Sequence, residues 1–271
     1  MKINGVDYHV TVTGYGEPLA LLHGFTGSGT SWSAHLPWLS GHFQVVTVDL
    51  LGHGATGKPD DPARYAMPRA ADDLHAILRA CGAESSHLLG YSMGGRLALY
   101  YALSHPLRSL ILESASPGLA DAAARAARQL ADDALAERIA CDGIEAFVDE
   151  WERLPLFASH ASLPDAPRAA LRAARLHNDP IGLAGSLRGM GTGAQPNLWD
   201  RLSAVDAPTL LLCGALDVKF TDAARAMQKR LRNARVEVIQ DAGHTPHLER
   251  PTAWRDVLLR FVRDLSRRRM A

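Results

Sequence analysis

An excess of either charge is absent from this 271-residue chain: basic and acidic residues number 29 each and the formal net charge is zero. Without a global field there is no electrostatic means of recruiting nucleic acid or an anionic membrane. Cysteine is scarce. Cys81, Cys141 and Cys213 show no CxxC spacing, which excludes a disulfide framework or cysteine metal site and suits a reduced compartment. There is no HExxH, no histidine–carboxylate cluster at ligand spacing and no P-loop, so neither a metal nor a cofactor is expected. No apolar run approaches the roughly 20 residues that span a bilayer. Met1-Lys2-Ile3-Asn4-Gly5 lacks the apolar stretch of a secretory signal, and a cytoplasmic protein is the expectation. Lysine is sparse throughout, so its absence from residues 116–200 says nothing special about that segment. Arg263, Arg267, Arg268 and Arg269 read as a solvated C-terminal tail.

What is present is the alternation of a parallel α/β fold. Residues 6–12 alternate apolar and polar, as a half-buried antiparallel strand does. Continuous apolar strands follow at 18–22, 43–50, 88–91 and 109–112, with a helix over 70–81. Such strands, separated by helices, imply a mostly parallel sheet covered on both faces. From 116 to 200 no strand is evident. Helices are predicted over 121–140, around 144–153 and over 167–176; strands resume at 208–213 and 236–239, and a helix closes the chain over 253–265. The expected organisation is a core of residues 1–115 and 206–271 with an all-helical insertion, 116–205, after about the sixth strand.

Gly90-Tyr91-Ser92-Met93-Gly94-Gly95 joins a strand to a helix with a serine at the apex. That is a nucleophile elbow: a tight turn lifts the hydroxyl out of the sheet beside a helix N-terminus. A serine hydroxyl needs an imidazole to take its proton and a carboxylate to orient that imidazole. Asp217 ends the buried run 210–216, and His244 follows the strand at 236–239. His247, Asp206 and Asp222 are rivals. His244 is preferred for its place soon after the last strand; Asp206 precedes its strand and Asp222 falls in the next helix. Donors for an anionic oxygen would be the amides of Met93 and of Phe25, in the loop His23-Gly24-Phe25-Thr26-Gly27-Ser28. His23-Gly24, Asp49, Ser92, Asp217 and His244 all sit at carboxyl ends of strands, where open parallel sheets bind ligands. Trp32, Trp38 and Trp199 read as packing residues.

The elbow, the His-Gly loop, Asp49-Leu50-Leu51-Gly52-His53-Gly54 and the order Ser, Asp, His resemble the α/β-hydrolase fold across essentially the whole chain. A narrower resemblance rests on 22–28, 90–96, Glu113-Ser114-Ala115-Ser116-Pro117-Gly118-Leu119, Trp151-Glu152-Arg153-Leu154-Pro155-Leu156-Phe157 and, above all, 186–196 within the insertion. These are similar to the menaquinone-biosynthesis family of 2-succinyl-6-hydroxy-2,4-cyclohexadiene-1-carboxylate synthases. Insertions of this kind diverge faster than cores, so a match there is the more specific.

The resemblance implies a lyase that removes a proton from a cyclohexene bearing a succinyl arm, a ring carboxylate and an enolpyruvyl ether, and expels pyruvate. Ser92 would be the base, relaying to His244, with Asp217 holding the imidazolium. The substrate is a small polycarboxylate. The family's carboxylate-binding arginines match Arg96, Arg128 and Arg175, and its pocket aromatics match Tyr91, Trp151 and Phe157; Arg188 has no assigned role. Two alternatives share the motifs: a serine hydrolase acting on esters or carbon–carbon bonds, and a non-enzymatic binding protein of the same fold.

Overall fold

In the computed structural model, which describes residues 1–270, nine strands and nine α-helices follow one another in an order set by the apolar patterning. A two-stranded ribbon of β1 (Lys2–Ile3) and β2 (Val6–Asp7) opens the chain. The large sheet comprises β3 (Val10–Thr13), β4 (Pro18–Leu22), β5 (Gln44–Val48), β6 (His87–Tyr91), β7 (Ser109–Glu113), β8 (Thr209–Gly214) and β9 (Ala234–Ile239). Their order is β3-β5-β4-β6-β7-β8-β9, with only β3 antiparallel to its neighbour. The short helix α1 (Leu36–Leu39) precedes β5, α2 (Met67–Ala80) precedes β6, and α3 (Met93–Ala102) follows it. Between β7 and β8 lie α4 (Ala122–Trp151), a 3-10 segment (Pro155–Ser162), α5 (Asp165–Leu176) and α6 (Pro180–Met190). The chain closes with α7 (Val218–Gln228), α8 (Pro246–Glu249) and α9 (Pro251–Met270). Among the described residues no helix is long and apolar enough to cross a membrane.

The strands alternate their side chains between two buried clusters. Ala20, Leu22, Val46, Val48, Leu88 and Leu112 pack one face, towards α2 and α3. Leu19, Leu21, Val45, Leu89, Ile111 and Leu210 pack the other, against Trp32, Trp254 and the apolar stripe of α9. Because both faces are covered, the strands read as unbroken apolar runs. A third cluster, including Ile139, Phe147, Val148, Leu183 and Leu187, holds α4 to α6 and gives the helical segment a core of its own.

Three local readings are corrected. Residues 6–12 do not form one strand. Tyr8 turns inward, its hydroxyl donating to Asp73 Oδ2 at 2.6 Å, and this divides the segment between the ribbon and the large sheet. The helical segment follows the fifth strand of the large sheet, not the sixth. The two helices expected at 121–140 and around 144–153 are both present within α4, which is broken between them at Gly143, where the backbone is non-helical (φ 86°, ψ 176°). Helix α6 was not foreseen, because its glycines disguise it. A Cβ at Gly185 or Gly189 would stand 2.6 or 2.5 Å from Tyr65 atoms, so the helix needs glycine to approach that residue. The expected tail residues Arg268 and Arg269 lie outside the residues whose side chains are described.

Candidate active site

Ser92 stands between β6 and α3 with φ 51° and ψ −109°, a conformation that a non-glycine residue adopts only when its surroundings enforce it. The enforcement is visible. The Ser92 amide donates to the Glu113 carbonyl of β7 at 2.8 Å. At Gly90 a Cβ would lie 2.3 Å from the Gly94 carbonyl oxygen, so only glycine lets the chain double back. Asp217 occupies the position before the first turn of α7, just past β8, without a capping hydrogen bond, and its Oδ2 accepts from His244 Nδ1 at 2.6 Å. That bond leaves His244 Nε2 as an acceptor, 3.0 Å from Ser92 Oγ. Three residues from the ends of three strands thus form one relay able to draw a proton from the hydroxyl.

The loops carrying these groups are tied down. Gly243 and Thr245 donate their amides to Glu249 at 2.7 and 3.0 Å, clamping the turn that presents His244. Burial pushes the Glu249 carboxyl up, but these donors together hold it below its usual range. His23 Nε2 accepts from the Leu50 amide at 2.9 Å, so its Nδ1 carries the proton donated to the Gly24 carbonyl at 2.8 Å. Complete burial depresses the His23 pKa, which keeps this tautomer neutral. The ring of His53 packs on both His23 and Phe25. Among the described residues, neither the Phe25 nor the Met93 amide has a protein acceptor. Asp49 organises the neighbouring loops, accepting from the amides of Gly29 and Ala55.

Ser92 and His244 open into a cavity of about 480 Å³. Phe25, Tyr91, Trp151, Phe157 and Phe220 supply aromatic walls, and ring contacts join Phe25 to Trp151, Trp151 to Phe157 and Phe220 to His244. Among the described residues, the cationic side chains lining it are Arg96, Arg128 and Lys219, and no aspartate or glutamate lines it. Arg96 Nη1 donates to the Met190 carbonyl at 2.8 Å and lies 3.5 Å from Gln195 Oε1, both neutral acceptors. Burial, with Arg128 nearby, brings its pKa down to about 10. Among the described residues no group of three or more His, Cys, Asp or Glu side chains could hold a metal ion.

Residues 17–251 match the α/β-hydrolase fold family. A Bacillus subtilis (strain 168) protein, provisionally named 2-succinyl-6-hydroxy-2,4-cyclohexadiene-1-carboxylate synthase, is 42% identical over 263 residues, 96% of each chain. A Klebsiella pneumoniae protein bearing that name outright is 36% identical over 242 residues, 87% of this chain and 89% of its own. The structure of MenH from S. aureus superimposes with a TM-score of 0.91 at 37% identity, covering 96% of this chain and 98% of that one. The chain belongs to the 2-succinyl-6-hydroxy-2,4-cyclohexadiene-1-carboxylate synthase family.

In this family member, Ser92, His244, Arg96, Arg128, Tyr91, Trp151, Phe157, Phe25 and Met93 all border one cavity, with Asp217 directly behind His244. Arg128 is partly neutralised: its Nε donates to Asp132 at 2.7 Å, and Asp132 also accepts from the Gly193 amide. Arg175 is not brought to this cavity. It is buried beside Glu152 (Nη1 to Oε1, 3.0 Å), lies over the ring of Phe157 and lines a separate cavity of about 390 Å³ with His160. Glu152 has captured it, and Phe157 borders both cavities. The rivals to the relay are otherwise engaged. His247 donates its amide and offers Nδ1 to the buried Glu113, Asp206 pairs with Arg232, and Asp222 pairs with Arg225 on α7. Arg188 pairs with Glu137 away from the cavity. Trp32 and Trp38 pack as read, the latter beneath Arg255, but Trp199 borders the cavity while donating to the Gly118 carbonyl.

Sequence reasoning missed Lys219, Phe220, Ser186 and Thr192 as lining residues. For Lys219 and Phe220 a signal existed: they occupy the first turn of the helix that Asp217 precedes, and so emerge beside the relay. For Ser186 and Thr192 the signal was their place in the 186–196 match, but with α6 not recognised as a helix nothing showed which of those side chains face the cavity.

Proposed function

We propose that this chain is a lyase that eliminates pyruvate from 2-succinyl-5-enolpyruvyl-6-hydroxy-3-cyclohexene-1-carboxylate, giving 2-succinyl-6-hydroxy-2,4-cyclohexadiene-1-carboxylate in menaquinone biosynthesis. The observation that carries this reading is a cavity joining the Ser92–His244 pair to Arg96, which is bonded only to neutral acceptors, with Arg128 and Lys219 also in the lining and no carboxylate there. A simple ester has no use for guanidinium groups lining the cavity; a polycarboxylate has.

The relay would work as follows. Ser92 Oγ gives its proton to His244 Nε2 and takes the proton from the ring carbon beside the succinyl ketone. Asp217 stabilises the resulting imidazolium. The electron pair left on carbon moves to the ketone oxygen, where the amides of Phe25 and Met93 would meet it; each such donor is worth about 3 kcal/mol of barrier. As the enolate collapses, the ring double bond shifts and the carbon–oxygen bond to the enolpyruvyl group breaks. The departing enolate takes the proton held on His244 and becomes pyruvate, which returns the imidazole to its neutral form. No water, acyl-enzyme or cofactor enters. The aromatic walls exclude water, which favours elimination over hydrolysis. In this reading residues 116–205 are a lid over the core formed by 1–115 and 206–271. A lid of that kind closes the reaction off from solvent. The enzyme would act in the cytoplasm on a free small molecule.

The test is pyruvate release from the enolpyruvyl substrate, followed beside p-nitrophenyl acetate hydrolysis. Pyruvate release with poor ester turnover is expected; brisk ester hydrolysis without pyruvate release would transfer the chain to the hydrolases. Ser92→Ala should lower kcat by roughly a thousandfold or more while the circular dichroism spectrum is unchanged.

A further inference from the structure

The substrate proposed above carries three carboxylates: one on the succinyl arm, one on the ring and one on the enolpyruvyl group. The cavity also presents three cations, but they are not the three arginines expected from the family resemblance. Arg175 is absent from the lining, and Lys219 takes a place there. We infer that Lys219 is a specificity-determining residue that holds one substrate carboxylate on the α7 wall of the cavity, beside the Ser92–His244 relay. This rests on the lyase reading and deepens it.

Several observations converge on Lys219. Lys219 is exposed where it borders the cavity; its ammonium lies 5.7 Å from the centroid of the Phe220 ring, which in turn packs on His244 at 4.7 Å. Among the described residues no carboxylate lies within ion-pairing reach of it; the nearest in sequence, Asp217, is turned inward to His244. Lys219 also occupies the first turn of α7, where the helix dipole disfavours a cation. A carboxylate bound there would meet both the ammonium and the positive end of the helix. Arg96 and Arg128 stand on other walls, on α3 and α4. Cations on three different elements could fix the ring in one orientation, which two could not. Elimination requires that orientation, because the proton and the leaving group sit on different ring carbons.

The experiment uses the full chain as wild type, Lys219→Ala and Lys219→Arg. Two readouts are taken: steady-state pyruvate release, and quenching of the cavity tryptophans Trp151 and Trp199 by citrate, a tricarboxylate probe. Lys219→Ala should raise KM by about tenfold, the loss of one charged hydrogen bond, with a smaller effect on kcat. Citrate binding should weaken in parallel, and Lys219→Arg should restore both to within about twofold. A KM for Lys219→Ala indistinguishable from wild type overturns the inference while leaving the lyase reading intact. If the wild type releases no pyruvate but Lys219→Ala still loses citrate affinity, the lyase reading falls and the anion subsite stands. Equal citrate affinity in both proteins, or none in either, refutes the subsite.

Discussion

Replacing Arg96 by methionine should make the protein more stable and less able to bind its substrate. Among the described residues the guanidinium has no carboxylate partner; its hydrogen bonds run to the Met190 carbonyl and to Gln195. Burial brings its pKa down to about 10, more than two pH units below an ordinary arginine. At pH 7 the side chain is charged in both the folded and the unfolded chain, so the whole penalty for burying the charge bears on folding. It amounts to about 3 kcal/mol. Methionine keeps a flexible apolar stem and removes the charge. Against that gain, the Met190 carbonyl loses its donor, which costs about 1–2 kcal/mol. The net expectation is a gain of about 1–2 kcal/mol, or a Tm higher by roughly 2–6 °C for a chain of this size. The same change leaves a desolvated substrate carboxylate without its partner, worth at least about 2 kcal/mol, and KM should rise about thirtyfold or more. Differential scanning calorimetry and pyruvate-release kinetics on the same preparation provide both numbers. A Tm lowered by several degrees with KM unmoved would refute the reasoning, because Arg96 would then be a structural tie and not a waiting ligand.

Acid should unfold the protein early. Burial pushes His35 and His160 down to about 4 and His53 to about 3, whereas the unfolded chain titrates near 6.5. Between those values the unfolded chain binds protons that the fold refuses, so stability is full above about pH 6.5 and is lost as pH falls towards 3–4; a Tm that stays level down to pH 4.5 would contradict this. Glu113→Gln should destabilise by roughly 2–3 kcal/mol in denaturant titrations, because an amide has only one oxygen to accept what the His247 amide, His247 Nδ1 and Trp254 Nε1 now share between two. A loss well under 1 kcal/mol would show that the donors find other partners.

Much of the fold was legible because its signals are local. Strands buried on both faces appear as unbroken apolar runs, and β4, β6, β7 and β8 were found within a residue or two of their bounds. Helix α6 was not, because the glycines that bring it against Tyr65 are poor helix formers. Their value lies in contact with a residue more than a hundred positions earlier in the chain. The break at Tyr8 was hidden for a like reason: Asp73, which draws it inward, lies on α2.

The sequence by itself determined the sheet and helices, the elbow at Ser92 and the presence of Asp217 and His244 just past later strands. Strand periodicity and turn chemistry are properties of neighbouring residues. Only the tertiary structure decided which cations meet the cavity. Arg175 is one of three arginines on α5 and Lys219 one of two basic residues on α7, and nothing within either helix says where its charge will point. That depends on what packs alongside: Glu152 draws Arg175 behind Phe157, and the inward turn of Asp217 leaves Lys219 without a partner at the cavity wall. A side chain's partner is chosen by groups distant in the chain, and local pattern carries no record of them.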